Sequence, residues 1–173
     1  PSDIILNSYA DNDVRGMEKQ FFFKNWTDAT GVTHTLDYPG IWAWFEETAI
    51  TDGTSGDNNI PTMRYAEVLL IAAEGYARTG ETAKAEGLLN QVRKRAGLPN
   101  YSASVNGDLV KAILTERLHE FPVEFKIWDD IRRTRLYPEA IMAGSAQKKD
   151  ILEWTPLASA KIQNKPVDNV KVG

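Results

Sequence analysis

The densest run of ionisable side chains lies between Glu116 and Arg133: Glu116, Arg117, Glu120, Glu124, Asp130, Arg132 and Arg133. So many carboxylates suggest acid–base chemistry, and a glycosidase would need two of them facing each other across a sugar. Glu116 and Glu120 stand i,i+4, so on a helix they point the same way and straddle nothing. Together with Arg117, Arg132 and Arg133 they read as ion pairs that clamp adjacent helices. His119-Glu120 lacks the second histidine of a zinc-hydrolase helix, and no glycine-rich phosphate loop or G-x-S-x-G elbow occurs. The only two histidines, His34 and His119, are far apart in the chain. No metal centre and no cofactor is implied.

Aromatic residues point to a different chemistry. The first third of the chain carries Trp26, Tyr38, Trp42 and Trp44 among Asp37, Glu46, Glu47, Asp52, Asp57, Asn58 and Asn59. The C–H faces of a sugar stack on indole and phenol rings, while its hydroxyls need carboxylate, amide or guanidinium partners. Tyr38, Trp42, Trp44, Asp37, Glu46 and Asn58 are therefore the candidate ligand-binding residues. Trp42 and Trp44 are spaced by two, so both face one side if that stretch is extended and diverge if it is helical. The competing reading is that these rings anchor long loops onto a helical core, because large aromatics usually bury. Trp128 falls on the apolar side of its segment and is expected in the core.

What must position these residues follows from composition and periodicity. The chain has 173 residues, 42% hydrophobic and 25% charged, an ordinary globular balance. The net charge of −4 argues against a nucleic-acid partner, which demands a basic footprint. No apolar run approaches a membrane span. There is no cysteine, so disulfides, zinc–thiolate sites and thioether lipid anchors are excluded within these residues. The opening lacks an initiator Met and any signal-like segment, as expected of a processed or partial chain.

The chain changes character near Ile60-Pro61, which divides it into a loop-rich segment, residues 1–60, and a helical region, residues 61–173. Phe21 to Trp26 reads as a short strand followed by a turn from Thr27 to Val32. After Pro61 the pattern is helical. From Arg64 to Thr79 the polar residues Arg64, Glu67, Glu74 and Arg78 lie near one stripe, and nearly everything else is apolar or small, so the helix should be buried on most of its circumference. Gly80 ends it. A second helix runs from about Thr82 to Ala96 with Ala85, Leu88, Leu89 and Val92 inward, and the short gap makes the two an antiparallel hairpin. A third starts after Asp108, with Pro122 ending it, and a fourth spans about Val123 to Thr134. The tail from Leu152 reads as coil.

Leu69, Ala72, Ala73, Tyr76, Gly80, Ala85 and Leu89 fit the spacing of a tetratricopeptide-type repeat, in which small residues on one helix receive large ones from the next. One such unit leaves a flank for neighbouring units to cover. The longer strings Arg64-Tyr65-Ala66-Glu67-Val68-Leu69-Leu70 and Leu89-Asn90-Gln91-Val92-Arg93-Lys94-Arg95-Ala96-Gly97-Leu98 are followed by Glu116-Arg117, Glu120, Glu124, Trp128 and Asp130-Ile131-Arg132-Arg133. With the Asp13-Val14-Arg15 segment and the Trp154-Thr155-Pro156-Leu157 tail, they closely resemble the C-terminal part of the SusD/RagB family. Phe125 stands where that family usually has Gly, and Ile127 where Arg is usual.

The resemblance implies a mainly α fold: a tetratricopeptide-like helical hairpin packed with further helices, plus long loops and one or two short strands, as part of one larger domain. It implies a non-enzymatic glycan-binding lipoprotein on the outer-membrane surface of a Gram-negative bacterium. Such a protein delivers oligosaccharides to a SusC-like TonB-dependent transporter. It further implies that the chain is roughly the last third of such a protein, that the N-terminal part of the same protein packs against it, and that the membrane is met only through an N-terminal lipid anchor absent here. It supplies no ligand residue. The rival reading is a helical-repeat scaffold that binds a peptide or protein in its groove.

Overall fold

The computed structural model of the chain describes residues 3–52, 56–59 and 61–134; the expected coil tail, with Trp154, lies outside them. A short helix α1 (Asp3–Leu6) leads into strands β1 (Phe22–Thr27) and β2 (Thr33–Ile41), then the short helix α2 (Glu47–Asp52). The helical region follows with α3 (Tyr65–Arg78), α4 (Thr82–Arg95), α5 (Ala103–Asn106), α6 (Leu109–Glu120) and α7 (Lys126–Thr134). Turns of 3₁₀ helix cover Val14–Gly16 and Trp42–Trp44. The fold is mainly α, with one two-stranded antiparallel hairpin.

The predicted helical hairpin is α3 packed on α4. Gly80 takes φ +81°, a left-handed value a side chain resists, and lets Glu81 N–H close the helix end on the Tyr76 carbonyl at 2.9 Å. Leu69, Leu70 and Ala73 of α3 bury against Ala85, Leu89 and Val92 of α4, and Leu109, Ile113 and Phe121 of the α6 segment close the core. Asp108 caps α6 by accepting from Lys111 N–H at 3.1 Å. Pro122 follows its last turn.

Two expectations about faces are corrected. The charged stripe of α3 does not face away from the core, because Glu67 and Glu74 are buried. Instead Tyr65, Val68 and Ile71 are 73%, 46% and 51% exposed. Trp128 is not core: it is 42% exposed, while Asp130 and Ile131 of the same helix are buried. The physical reason is shared by both. Arginines reach these carboxylates from across the helix contacts, so ion pairs outrank hydrophobicity in choosing which side turns inward.

Those pairs form two clusters on either side of α6. In the first, the buried Arg15 guanidinium meets Asp13 Oδ2 at 2.7 Å, Glu116 Oε1 at 2.7 Å and Glu120 Oε2 at 3.1 Å. Glu116 also meets Arg93 at 3.1 Å, and Glu120 meets Arg95 and, at 2.9 Å, Arg64. In the second, Arg117 Nε donates to Asp130 at 2.6 Å, Arg133 holds Glu74 in a bidentate grip at 2.6 and 2.7 Å, and Lys126 meets Glu67 at 3.1 Å. Glu116, Arg117, Glu120, Glu124, Asp130 and Arg133, which resembled acid–base machinery, are thus engaged in ion pairs.

Three outcomes are expected from this packing. Arg15→Ala leaves Asp13 buried without its cation and takes one partner each from Glu116 and Glu120, and should lower stability by about 3–5 kcal/mol in denaturant titration. Phe125 is 83% exposed and held at φ +59°, so its ring gives little in return for a left-handed backbone. Phe125→Gly should raise stability by about 0.5–1 kcal/mol once the extra unfolded-state entropy of glycine is subtracted.

The third outcome concerns His119. Its Nε2 lies 3.0 Å from Ser8 Oγ, and its ring packs against Tyr9 at 4.8 Å. Burial, reinforced by the nearby Arg15 charge, pushes its pKa down to about 4. Protonation then favours the unfolded chain. The contribution is complete above pH 6.5 and is lost as pH falls towards 4, by up to about 3 kcal/mol. Urea titrations of the parent and His119→Gln from pH 7.5 to 4 should converge in slope with pH only if this assignment is wrong.

Candidate ligand-binding cleft

The hairpin gathers the aromatic residues that the sequence marks as candidates. A register shift between Phe23 and Asn25 breaks strict alternation in β1, so Phe23 and Trp26 both turn inward. Phe23 meets Trp26, Trp42 and Phe45 edge-on at 6.1, 5.3 and 4.8 Å between centroids. Trp26 stacks on His34 at 4.6 Å. At the hairpin tip, the hydrogen bond with His34, with others from Thr30 and Val32, holds the Asp28 carboxyl well below the usual carboxylate range.

The stretch carrying Trp42 and Trp44 is a 3₁₀ turn, not a strand, so the two indoles diverge. Trp42 stacks on Phe45 at 5.0 Å with an interplanar angle of 13°, and Lys19 Nζ sits 5.5 Å from its ring centre. It is committed to the internal aromatic cluster. Trp44 instead lines a cleft of about 190 Å³ between the loop-rich segment and the helices. Phe21, Ala43, Asn58, Asn59 and Pro61 form the rest of the rim and walls; Arg64, Glu120, Pro122, Val123 and Glu124 form the side made by the helical region.

The six candidate residues therefore separate. Trp44 and Asn58 come together in the cleft. Glu46 does not line it but holds its rim, accepting from Asp57 N–H at 2.7 Å, while Asn58 Nδ2 donates to the Phe45 carbonyl at 3.4 Å. Asp37 and Tyr38 lie on β2, exposed and outside the cleft, with Tyr38 82% accessible. Sequence reasoning did not select Asn59, Arg64 or Glu124 for this role. Asn59 was visible as a neighbour of Asn58. Arg64 and Glu124 carried no such signal, because their position depends on how α3 meets the turn after α6.

The electrostatics of the cleft are asymmetric. Arg64 donates to Glu124 Oε1 from Nε at 3.0 Å and from Nη2 at 2.7 Å, and to Glu120 Oε1 and the Glu120 carbonyl at 2.9 and 2.8 Å. Glu124 Oε2 is buried and has no hydrogen-bond partner in the protein. Glu120 and Glu124 share Arg64, so they stand on the same side and do not oppose each other across a bound ring. Among the described residues no cluster of His, Asp and Glu could hold a metal ion, and no helix is long and apolar enough to cross a membrane.

A larger cleft of about 580 Å³ lies between α3 and α7. Its walls are Ile71, Gly75, four acids (Glu67, Glu74, Asp129, Asp130) and four bases (Arg78, Arg117, Lys126, Arg133). Most of these charges are paired with each other, and no aromatic ring lines it. Of these two clefts, the smaller combines rings with amides.

Comparison with known proteins agrees with this architecture. The model of the SusD family matches residues 7–172. The SusD-like protein P2 of Formosa agariphila is 36% identical over 94 residues, which is 49% of this chain and 19% of that protein. The SusD-like protein P38 of the same organism is 31% identical over 107 residues, 57% of this chain and 21% of that protein. The crystal structure of a SusD superfamily protein from Parabacteroides distasonis aligns with a TM-score of 0.66 at 28% identity, covering 78% of this chain and 31% of that one. The chain thus spans about a fifth of the length of the curated relatives it matches. With the family model matching nearly its whole length, and the helical hairpin and ion-pair motifs in place, the chain belongs to the SusD family.

Proposed function

We propose that this chain is part of a non-enzymatic glycan-binding protein at the outer-membrane surface of a Gram-negative bacterium. It captures oligosaccharides and delivers them to a SusC-like TonB-dependent transporter. Family membership supports the reading. The observation that carries it is Trp44 set beside Asn58 and Asn59 in one cleft. An indole face takes the C–H side of a sugar ring, and amides donate to and accept from its hydroxyls. Residues 1–60 and 61–173 act as parts of one larger domain, since the cleft takes its walls from both. Membrane attachment falls to an N-terminal lipid anchor outside these residues.

The alternative, a helical-repeat scaffold for a peptide or protein, draws on the exposed stripe Tyr65, Val68 and Ile71 of α3. That stripe is better assigned to the rest of the longer protein, because one repeat unit needs a neighbour to cover its flank.

The test is oligosaccharide binding by calorimetry on the full-length protein and its variants. Trp44→Ala should weaken binding by about 1–3 kcal/mol, as aromatic anchors do elsewhere. Trp42→Ala should mainly lower stability, and Tyr38→Ala should leave both nearly unchanged. A folded Trp44→Ala variant with parental affinity would remove this cleft from the binding site.

A further inference from the structure

We propose that the outer edge of β2, from Thr33 to Asp37, is paired in the longer protein by an extended segment of the same polypeptide that lies outside these 173 residues. The inference concerns assembly of the fold and is independent of what the Trp44 cleft holds.

The pairing pattern decides which backbone groups face outward. Among the described residues the sheet holds β1 and β2 and no third strand. Asp28 N–H donates to the Val32 carbonyl at 2.9 Å, and the ladder then pairs Thr27 with Thr33, Trp26 with His34 and Asn25 with Thr35. Bonded and non-bonded positions alternate along an antiparallel pair. Counted from the bonded Asp28–Val32 position, His34 bonds towards β1, while Thr33 and Thr35 turn their N–H and C=O groups away from it. Asn25 of β1 turns its own N–H to the opposite, outer side.

The two edges are treated differently. On β1 the chain closes its own edge: the Glu18 carboxylate accepts from Asn25 N–H at 3.1 Å and from Lys24 N–H at 2.8 Å. On β2, Thr33 and Thr35 spend their hydroxyls on the neighbouring strand, meeting Thr27 Oγ1 at 3.1 Å and Asn25 Oδ1 at 2.8 Å. Their outward backbone groups stay available. The run Val32-Thr33-His34-Thr35-Leu36 contains no proline, lysine or carboxylate, the devices that keep an open edge from pairing. Its β-branched residues favour a ladder instead. Asp37 and Pro39 follow, and proline has no N–H to give, so a partner strand ends there.

The occupant follows from the length of chain that lies elsewhere. The stretch matching this chain is 19% and 21% of the two curated relatives, so about four fifths of each lies outside it. A tethered segment pairs at high effective concentration, and an added strand needs only backbone bonds to hold it. A two-stranded hairpin is marginal by itself, and a third strand makes the sheet self-supporting.

Hydrogen exchange of the full-length protein, resolved to single amides by electron-transfer fragmentation, tests the pairing. Thr33 and Thr35 should exchange about a hundredfold or more slower than an unstructured chain. They should then match His34, whose N–H faces β1 and serves as the internal control. Fast exchange at Thr33 and Thr35 beside a slow His34 would mean an open edge and overturn the inference. Thr35→Pro deletes one outward donor and should speed exchange at Thr33 about tenfold while His34 stays slow. A folded Thr35→Pro variant with parental exchange at Thr33 would also overturn it, and the parent's exchange decides the matter should that variant fail to fold. The occupant is read by photo-cross-linking, with benzoylphenylalanine placed at Val32, which is 53% exposed. In dilute full-length protein the cross-link should lie within one chain and map outside these 173 residues. A cross-link to a second copy, or to another part of residues 1–173, would sink the assignment.

Discussion

The guanidinium of Arg15 is the buried charge that ties the loop-rich segment to the helical region. It stands between Asp13 of its own turn and Glu116 and Glu120 of α6, and all four groups are buried. Each charge alone would be intolerable in the interior; together they neutralise one another and satisfy most of their hydrogen-bonding capacity. The constraint is geometric as well as electrostatic. A planar fork demands its carboxylates at fixed places, so the Asp13–Arg15 turn can dock on α6 in one register. The hairpin that follows, and the 3₁₀ turn bearing Trp44, inherit their placement from that docking.

Helix α6 extends the same logic to its other side. Glu116 and Glu120 face Arg15, Arg93 and Arg95, while Arg117, one residue on, reaches Asp130 of α7. One helix thereby fixes three neighbours through charges of alternating sign. Apolar packing of Leu70, Leu89 and Ile113 supplies the bulk of the burial, but it is non-directional. The ion pairs decide which way α3 and α7 turn, which is why Val68 and Ile71 stay outside while Glu67 and Glu74 go in.

This division explains what was readable in the sequence. The bounds of α3, α4 and α6, the Gly80 end, the Asp108 cap and the Leu69–Leu89 hairpin core follow from local chemistry and period, and all stood in the sequence; the short helices α1, α2 and α5 did not. The inward face of α3 and the exposure of Trp128 were not legible, because period analysis treats charge as a mark of solvent and cannot see an arginine arriving from another helix. The cleft was half legible. Trp44 and Asn58 were visible as residue types suited to sugars, but their meeting with Arg64 and Glu124 depends on long-range docking. Even the separation of Trp42 from Trp44 turned on whether three residues were extended or 3₁₀.

Arg64 belongs to both halves of this description: it stands at the start of α3, neutralises Glu120 and Glu124, and lines the cleft. The side of the cleft made by the helical region is therefore made of residues whose replacement threatens folding, while Trp44, Asn58 and Asn59 sit on loop and turn backbone that the ion pairs do not use. The two banks therefore differ in mechanical tolerance: side chains on the Trp44 rim can be exchanged with little penalty to the fold, while an exchange of Arg64 or Glu120 takes a counter-ion from a buried charge.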